Sequence, residues 1–202
     1  MNRKALLAVP LVLAAAAGFI LAGDPLTIGG KMPSTDVKMQ NVDGKDVTLA
    51  QVQKPAGTLV VFTCNHCPFA KAWESRIVAL GNEYAAKGIG VVAINSNDPN
   101  VAPEDDMGTM QAKAKEDGMN FPYVVDATSS VAKAFGATRT PEAFLFDKGG
   151  KLVYHGAIDD NKEDAKAVTS PYLKNALEAV TSGKDVAVKE TKSVGCGIKF
   201  RS

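Results

Sequence analysis

Two apolar runs bracket a helical pattern and together limit this chain to a narrow set of folds. Leu59-Val60-Val61-Phe62 and Ile89-Gly90-Val91-Val92-Ala93-Ile94-Asn95 are nearly continuous in apolar residues, which suits strands covered on both faces of a sheet. Between them, Trp73, Ile77, Leu80 and Tyr84 recur at spacings of three and four, and Lys87-Gly88 ends the run. Strand, helix and strand within about 40 residues make a βαβ unit, with parallel strands and a right-handed crossover. The chain is therefore α/β.

The remaining segments fill in around that unit. Residues 24–35 read as an extended lead-in. Val37 to Met39 and Val47 to Leu49 flank Asn41-Val42-Asp43-Gly44 and predict an N-terminal hairpin. Asp105 to Asp117 predicts a polar helix, Tyr123 to Asp126 a short strand, and Val131 to Phe135 a short helix ending at Gly136. Ala143 to Phe146 and Leu152 to Tyr154, joined by Asp147-Lys148-Gly149-Gly150, predict an antiparallel hairpin, and Tyr172 to Val180 the last helix. Ser182 to Ser202 reads as a polar tail containing Gly195-Cys196-Gly197-Ile198-Lys199-Phe200.

At the first turn of the βαβ unit stands Cys64-Asn65-His66-Cys67, followed by Pro68. A C-x-x-C at a strand-to-helix turn points to redox chemistry. Unpaired N–H groups at a helix start stabilise a thiolate, which makes the first cysteine nucleophilic near neutral pH. Cys64, expected nearer the helix end and more exposed, is the candidate nucleophile. Cys67, partly buried by the helix, is the resolving thiol that releases product from a mixed disulfide. A charged His66 would stabilise the thiolate and make the pair more oxidising, whereas the bland alternative is a solvated turn residue. Two inert core cysteines are the bland reading of the motif, and polar Asn65 and His66 argue against it.

Length and charge set the class. The 202 residues are 46% apolar with a formal charge of +1. Asn2-Arg3-Lys4 followed by the apolar stretch from Ala5 to Ala22 resembles an export signal, with cleavage near Ala22 or Gly23. The same stretch is just long enough to span a bilayer, so a retained anchor is the alternative. Removing residues 1–23 takes away Arg3 and Lys4 and leaves 21 basic against 22 acidic residues, a net charge of −1. Residues 24–202, about 180 in all, suffice for one domain with one core. No basic run or aromatic platform suggests nucleic acid. An exported, periplasmic setting fits a disulfide that must persist.

Order and motif together resemble the thioredoxin fold and, more narrowly, the exported thioredoxin-like branch of the redoxin (alkyl hydroperoxide reductase/thiol-specific antioxidant) family. The resemblance covers roughly residues 30–200 and rests on Phe62-Thr63-Cys64-Asn65-His66-Cys67-Pro68-Phe69, on Ala137-Thr138-Arg139-Thr140-Pro141-Glu142, on Tyr154-His155-Gly156-Ala157-Ile158-Asp159-Asp160, and on Gly195-Cys196-Gly197-Ile198-Lys199. It implies a central mixed sheet flanked by helices, with an N-terminal hairpin extension and a C-terminal tail. It implies thiol–disulfide exchange with protein thiols, a partner that resets the cysteines, and neither cofactor nor metal. It also implies a cis-proline facing the dithiol, which Pro141 after Thr140 matches. Such a turn leaves backbone groups free to pair with an extended substrate.

Around these, Asn65, His66, Pro68, Thr140 and Arg139 are modulating residues, Arg139 having a surface salt bridge as its bland alternative. No acid precedes Cys64 in its strand, so a carboxylate serving the thiols must come from elsewhere. Glu74 has the spacing of a solvated face, Trp73 that of the core, and His155 reads as structural. Asp159 and Asp160 belong to the resemblance, with turn capping as their bland role. Cys196 is the odd thiol: either a third redox partner brought near Cys64 by the tail folding back, or a buried small hydrophobe.

Two other functions remain open on sequence. A peroxidase would carry P-x-x-x-T-x-x-C, and here those places hold Gly57 and Val61. A copper chaperone of similar fold would join its cysteines to a distant histidine, here His155, though at a different cysteine spacing.

Overall fold

The computed structural model describes residues 26–201. The export signal or anchor expected at residues 1–23 lies outside the described residues. Among the described residues no helix is long and apolar enough to cross a membrane.

The βαβ unit forms as its pattern predicts. Strand β3 (Gly57–Phe62) and β4 (Ile89–Asn95) run parallel, with helix α2 (Pro68–Ala86) crossing between them. Three further helices are α1 (Leu49–Val52), α3 (Met107–Glu116) and α4 (Ser130–Phe135), and α5 (Tyr172–Thr181) closes the helical set. The other sheet strands are β1 (Met39–Asn41), β2 (Asp46–Val47), β5 (Tyr123–Val125), β7 (Glu142–Phe146) and β8 (Leu152–Gly156). Their order is β2-β1-β5-β4-β3-β7-β8, with β4 and β5 parallel and β7 antiparallel to both β3 and β8. A second, two-stranded sheet pairs β6 (Arg139–Thr140) with β9 (Cys196–Gly197).

Alternation along β3 explains why its sequence is apolar throughout. Leu59 and Val61 join Trp73, Ile77 and Tyr84 of α2 and Leu173 and Leu177 of α5 in one core. Val60 and Phe62 point to the other face, among Leu49, Phe135, Phe144 and Phe146. There Phe135 meets Phe62 and Phe144 edge to face, each at a centroid distance of 5.3 Å, a favoured geometry for aromatic rings. The sheet is thus covered on both sides. Gly90 of β4 is where α1 comes closest: a Cβ there would lie 1.9 Å from the Val52 carbonyl oxygen.

Two elements differ from expectation. The N-terminal hairpin exists, but its strands are displaced to Met39–Asn41 and Asp46–Val47. For β2 the cause is Thr48, whose side chain accepts from Gln51 N while the Gln51 side chain accepts from Thr48 N. This reciprocal cap starts a helix at Leu49 and ends the strand early. The helix expected from Asp105 instead begins at Met107, capped by Asp106, and Asp105 closes a preceding turn of 3-10 helix. The C-terminal tail is not a loose appendage either. His155 N and Thr191 N bond to the Lys189 and His155 carbonyls at 2.9 and 3.0 Å, and Val186 and Ile198 are buried.

Candidate active site

Chain topology brings the dithiol and the proline turn together at the end of β3. The Thr140–Pro141 peptide is cis, as the resemblance implies. Cys64 Sγ lies 3.2 Å from Thr140 Oγ1, and Cys67 Sγ lies 3.2 Å from the Thr140 carbonyl oxygen. Neither thiol is exposed, at 1% for Cys64 and 0% for Cys67. The expectation of an open Cys64 is corrected here, because Thr140, Ala70, Phe69 and Cys196 pack around the pair. Placement on the helix also differs. Cys67, not Cys64, is the N-cap residue of α2, directly before Pro68, whose missing N–H suits the first helical position.

The Cys64 and Cys67 thiols act on each other, so ionisation belongs to the pair. The Cys64 thiol is the main reason that Cys67 is drawn down to about 4; burial opposes this, while Cys196 and Ala70 assist. Cys64 is pushed well above the thiol range, first by the Cys67 side chain, then by burial and the Asp105 charge; Thr140 works against this. Each placement of the shared proton has partners. With the proton on Cys64, the N–H groups of Ala70 and Cys196 meet the Cys67 charge. With the proton on Cys67, that thiol can donate to the Thr140 carbonyl while Thr140 Oγ1–H donates to a Cys64 thiolate.

The carboxylate absent from the strand comes from the turn before α3. Asp105 Oδ1 accepts from Asn65 N at 2.6 Å and His66 N at 3.3 Å, and its Oδ2 accepts from Asn97 Nδ2 at 2.8 Å. His66 Nδ1 stands 2.5 Å from Asp105 Oδ2, and an ionised carboxylate there accepts from the ring. His66 is thus held by a buried carboxylate rather than solvated, with 23% of its side chain exposed. Cys64 Sγ, a ring nitrogen of His66 and a carboxylate oxygen of Asp105 all lie within 4.8 Å of one another. Asn65 is buried, donating to the Glu104 carbonyl at 2.9 Å and accepting from Tyr123 OH at 2.8 Å.

Glu142 fixes the proline turn. Its Oε2 accepts from Thr138 N and Arg139 N at 2.8 and 2.9 Å, and its Oε1 lies 2.6 Å from His155 Nε2. His155 stacks on Phe144 at 4.3 Å, a structural role. It is absent from the group of Cys64, His66 and Asp105, so the ligand pair that the copper reading needs is not assembled. Among the described residues Arg139 makes no salt bridge; it donates to the Gly195 carbonyl at 3.1 Å. Glu74 is corrected from a solvated position to a half-buried one paired with Lys113 at 2.7 Å, and burial raises its carboxyl. Asp159 receives Trp73 Nε1 and Arg76 Nη1, each at 2.6 Å, which ties the segment after β8 to α2. Asp160 accepts from Thr169 N at 3.0 Å and from the Thr169 hydroxyl.

Cys196 is half-buried, and the tail folds back to set it opposite Thr140, whose carbonyl oxygen faces Cys67 Sγ. It packs against the cluster of Cys64, Cys67 and Ala70.

A dithiol under a cis-proline turn, on a mixed sheet flanked by helices, defines a class. The sequence profile of the AhpC/TSA family matches residues 28–155, and the chain belongs to that family. Its fold is thioredoxin-like: a thioredoxin-like protein solved in its oxidised form is similar at a TM-score of 0.60 and 20% identity, over 78% of this chain and 97% of that one. An uncharacterized conserved protein from Geobacillus kaustophilus is similar at a TM-score of 0.81 and 40% identity, over 87% of this chain and 93% of that one. The thiol-disulfide oxidoreductase ResA of Halalkalibacterium halodurans is 24% identical over 115 residues, 57% of this chain and 61% of that protein. The match thus spans less than two thirds of that relative's length.

Proposed function

We propose that this protein is an exported thiol–disulfide oxidoreductase that exchanges electrons with protein thiols through Cys64-Asn65-His66-Cys67. The observation that carries the reading is the placement of both sulfurs 3.2 Å from Thr140, one at its hydroxyl and one at its carbonyl, beside a cis Pro141. The family and the ResA relative support the same reaction class. Residues 1–23 act as the export signal or anchor, and residues 24–202 form the single redox domain, working in the periplasm or an equivalent exported space.

In the reducing direction, the shared proton moves to Cys67 and the Cys64 thiolate attacks a substrate disulfide. One substrate sulfur leaves as a thiolate and a Cys64–substrate disulfide forms. Cys67 then loses its proton and attacks Cys64 Sγ, expelling the second substrate thiolate and leaving a Cys64–Cys67 disulfide. A partner dithiol or its equivalent resets the pair; run backwards, the same steps oxidise a substrate. Asp105 orients His66 beside Cys64, and Thr140 steadies either proton placement.

The decisive experiment is equilibration of the protein in glutathione buffers, followed by alkylation and mapping of each cysteine. A Cys64–Cys67 couple with a defined potential is expected, and Cys64→Ser should abolish exchange with a disulfide substrate. A potential below about −250 mV marks a reductant and one above about −180 mV an oxidant or isomerase. Retained exchange in Cys64→Ser would overturn the assignment.

A further inference from the structure

The tail occupies the place where an extended substrate would pair. Strand β9 lies antiparallel to β6, with Thr140 opposite Cys196 and Arg139 opposite Gly197. Addition of a strand to an open edge is a common mode of peptide recognition, and here the chain's own C-terminal segment supplies the strand. The fit is close: a Cβ at Gly195 would stand 2.1 Å from the Thr140 carbonyl oxygen, so only glycine lets the tail approach. Beyond the strand the tail is anchored, Ile198 N donating to Thr138 O at 3.0 Å and Lys199 N to Asn97 Oδ1 at 2.7 Å. The one tail residue with redox chemistry is thereby seated against the dithiol, in the cluster of Cys64, Cys67 and Ala70.

We propose that Cys196 is a third redox thiol, which exchanges with Cys67 and moves the disulfide from Cys64–Cys67 to Cys67–Cys196. In the oxidised protein the Cys196 thiolate attacks Cys67 Sγ. The Cys67–Cys196 bond forms, the Cys64–Cys67 bond breaks, and Cys64 leaves as a thiolate that takes up the proton given up by Cys196. One disulfide is consumed and one is made, so no outside oxidant is needed. The step returns a reduced Cys64 to the site while the oxidising equivalent is parked on the tail. It rests on the reading of Cys64–Cys67 as the exchange pair.

The test is disulfide mapping of the protein oxidised with oxidised glutathione, quenched in acid and alkylated. In the wild type, a fraction of molecules should carry a Cys67–Cys196 link, with Cys64 alkylated in the same proportion. Cys196→Ser should remove that Cys64 alkylation and leave Cys64–Cys67 as the disulfide formed. A wild type holding only Cys64–Cys67, with Cys196 fully alkylated, overturns the inference and leaves the proposed function standing. Absence of a Cys64–Cys67 disulfide in Cys196→Ser, where it cannot move to the tail, overturns the proposed function itself. The wild-type map decides the inference even if Cys196→Ser fails to fold.

Discussion

Asp105 accepts from two backbone N–H groups, the Asn97 amide and the His66 ring while its side chain is wholly buried. Asp105→Asn would turn an amide NH2 toward donors that need an acceptor, at a cost of about 1–3 kcal/mol, read as a lower urea midpoint. The carboxylate charge also holds the Cys64 thiol up. Its removal should therefore move the pH profile of Cys64 alkylation to lower pH, a change that loss of packing alone would not produce. Thr140→Val acts in the opposite sense. It deletes the hydroxyl that draws Cys64 down and keeps the carbonyl facing Cys67. Cys64 alkylation at neutral pH should slow about fivefold, the equivalent of roughly 1 kcal/mol for one hydrogen bond. Cys64, Cys67, Thr140 and Pro141 were legible in the sequence because each belongs to a short motif. Asp105 was not. It stands next to Asp106, and nothing local says that Asp106 caps α3 while Asp105 turns inward beneath a loop 40 residues away.

Among the elements, β3, α2 and β4 could be read from pattern because their burial is complete and periodic. The end of β2 could not, because the Thr48–Gln51 cap overrides the apolar character of Leu49. Nor did spacing show how α2 is joined to the segment after β8. That joint is Asp159, which holds Trp73 and Arg76 of α2 together, the Arg76–Asp159 pair being largely buried. Asp159→Ala leaves the indole N–H without its acceptor and strips a largely buried guanidinium of its carboxylate, leaving it only backbone carbonyls of Ala72, Asn161 and Lys162. Breaking such a pair costs about 3–5 kcal/mol. Since Trp73 is the chain's single tryptophan, its fluorescence reports the loss directly in a urea titration.

For the molecule as a whole, the tail joins three regions that the sequence keeps far apart: the β8 edge, the proline turn and the dithiol. Composition alone made this segment look like a polar extension; its hold depends on a few apolar anchors and on backbone pairing, which carry little signal in a single sequence. Ile198 is the anchor nearest Cys196, 8% exposed and packed in the core beneath the sheet. Ile198→Ala should lower stability by about 2 kcal/mol, the small end for a buried isoleucine. More telling is its effect at a distance. Cys67 is drawn below the usual thiol range, first by the Cys64 side chain and with help from the Cys196 thiol and N–H, so the pair's thiolate is lost as pH falls through that lowered range. A loosened tail withdraws those donors, and the thiolate should then be lost at a higher pH. Ultraviolet thiolate absorbance of the reduced protein, followed on acidification with Cys67→Ser as the blank, measures the shift. An unchanged acid limb in Ile198→Ala, alongside the expected drop in stability, would mean that the tail braces the fold without tuning the dithiol.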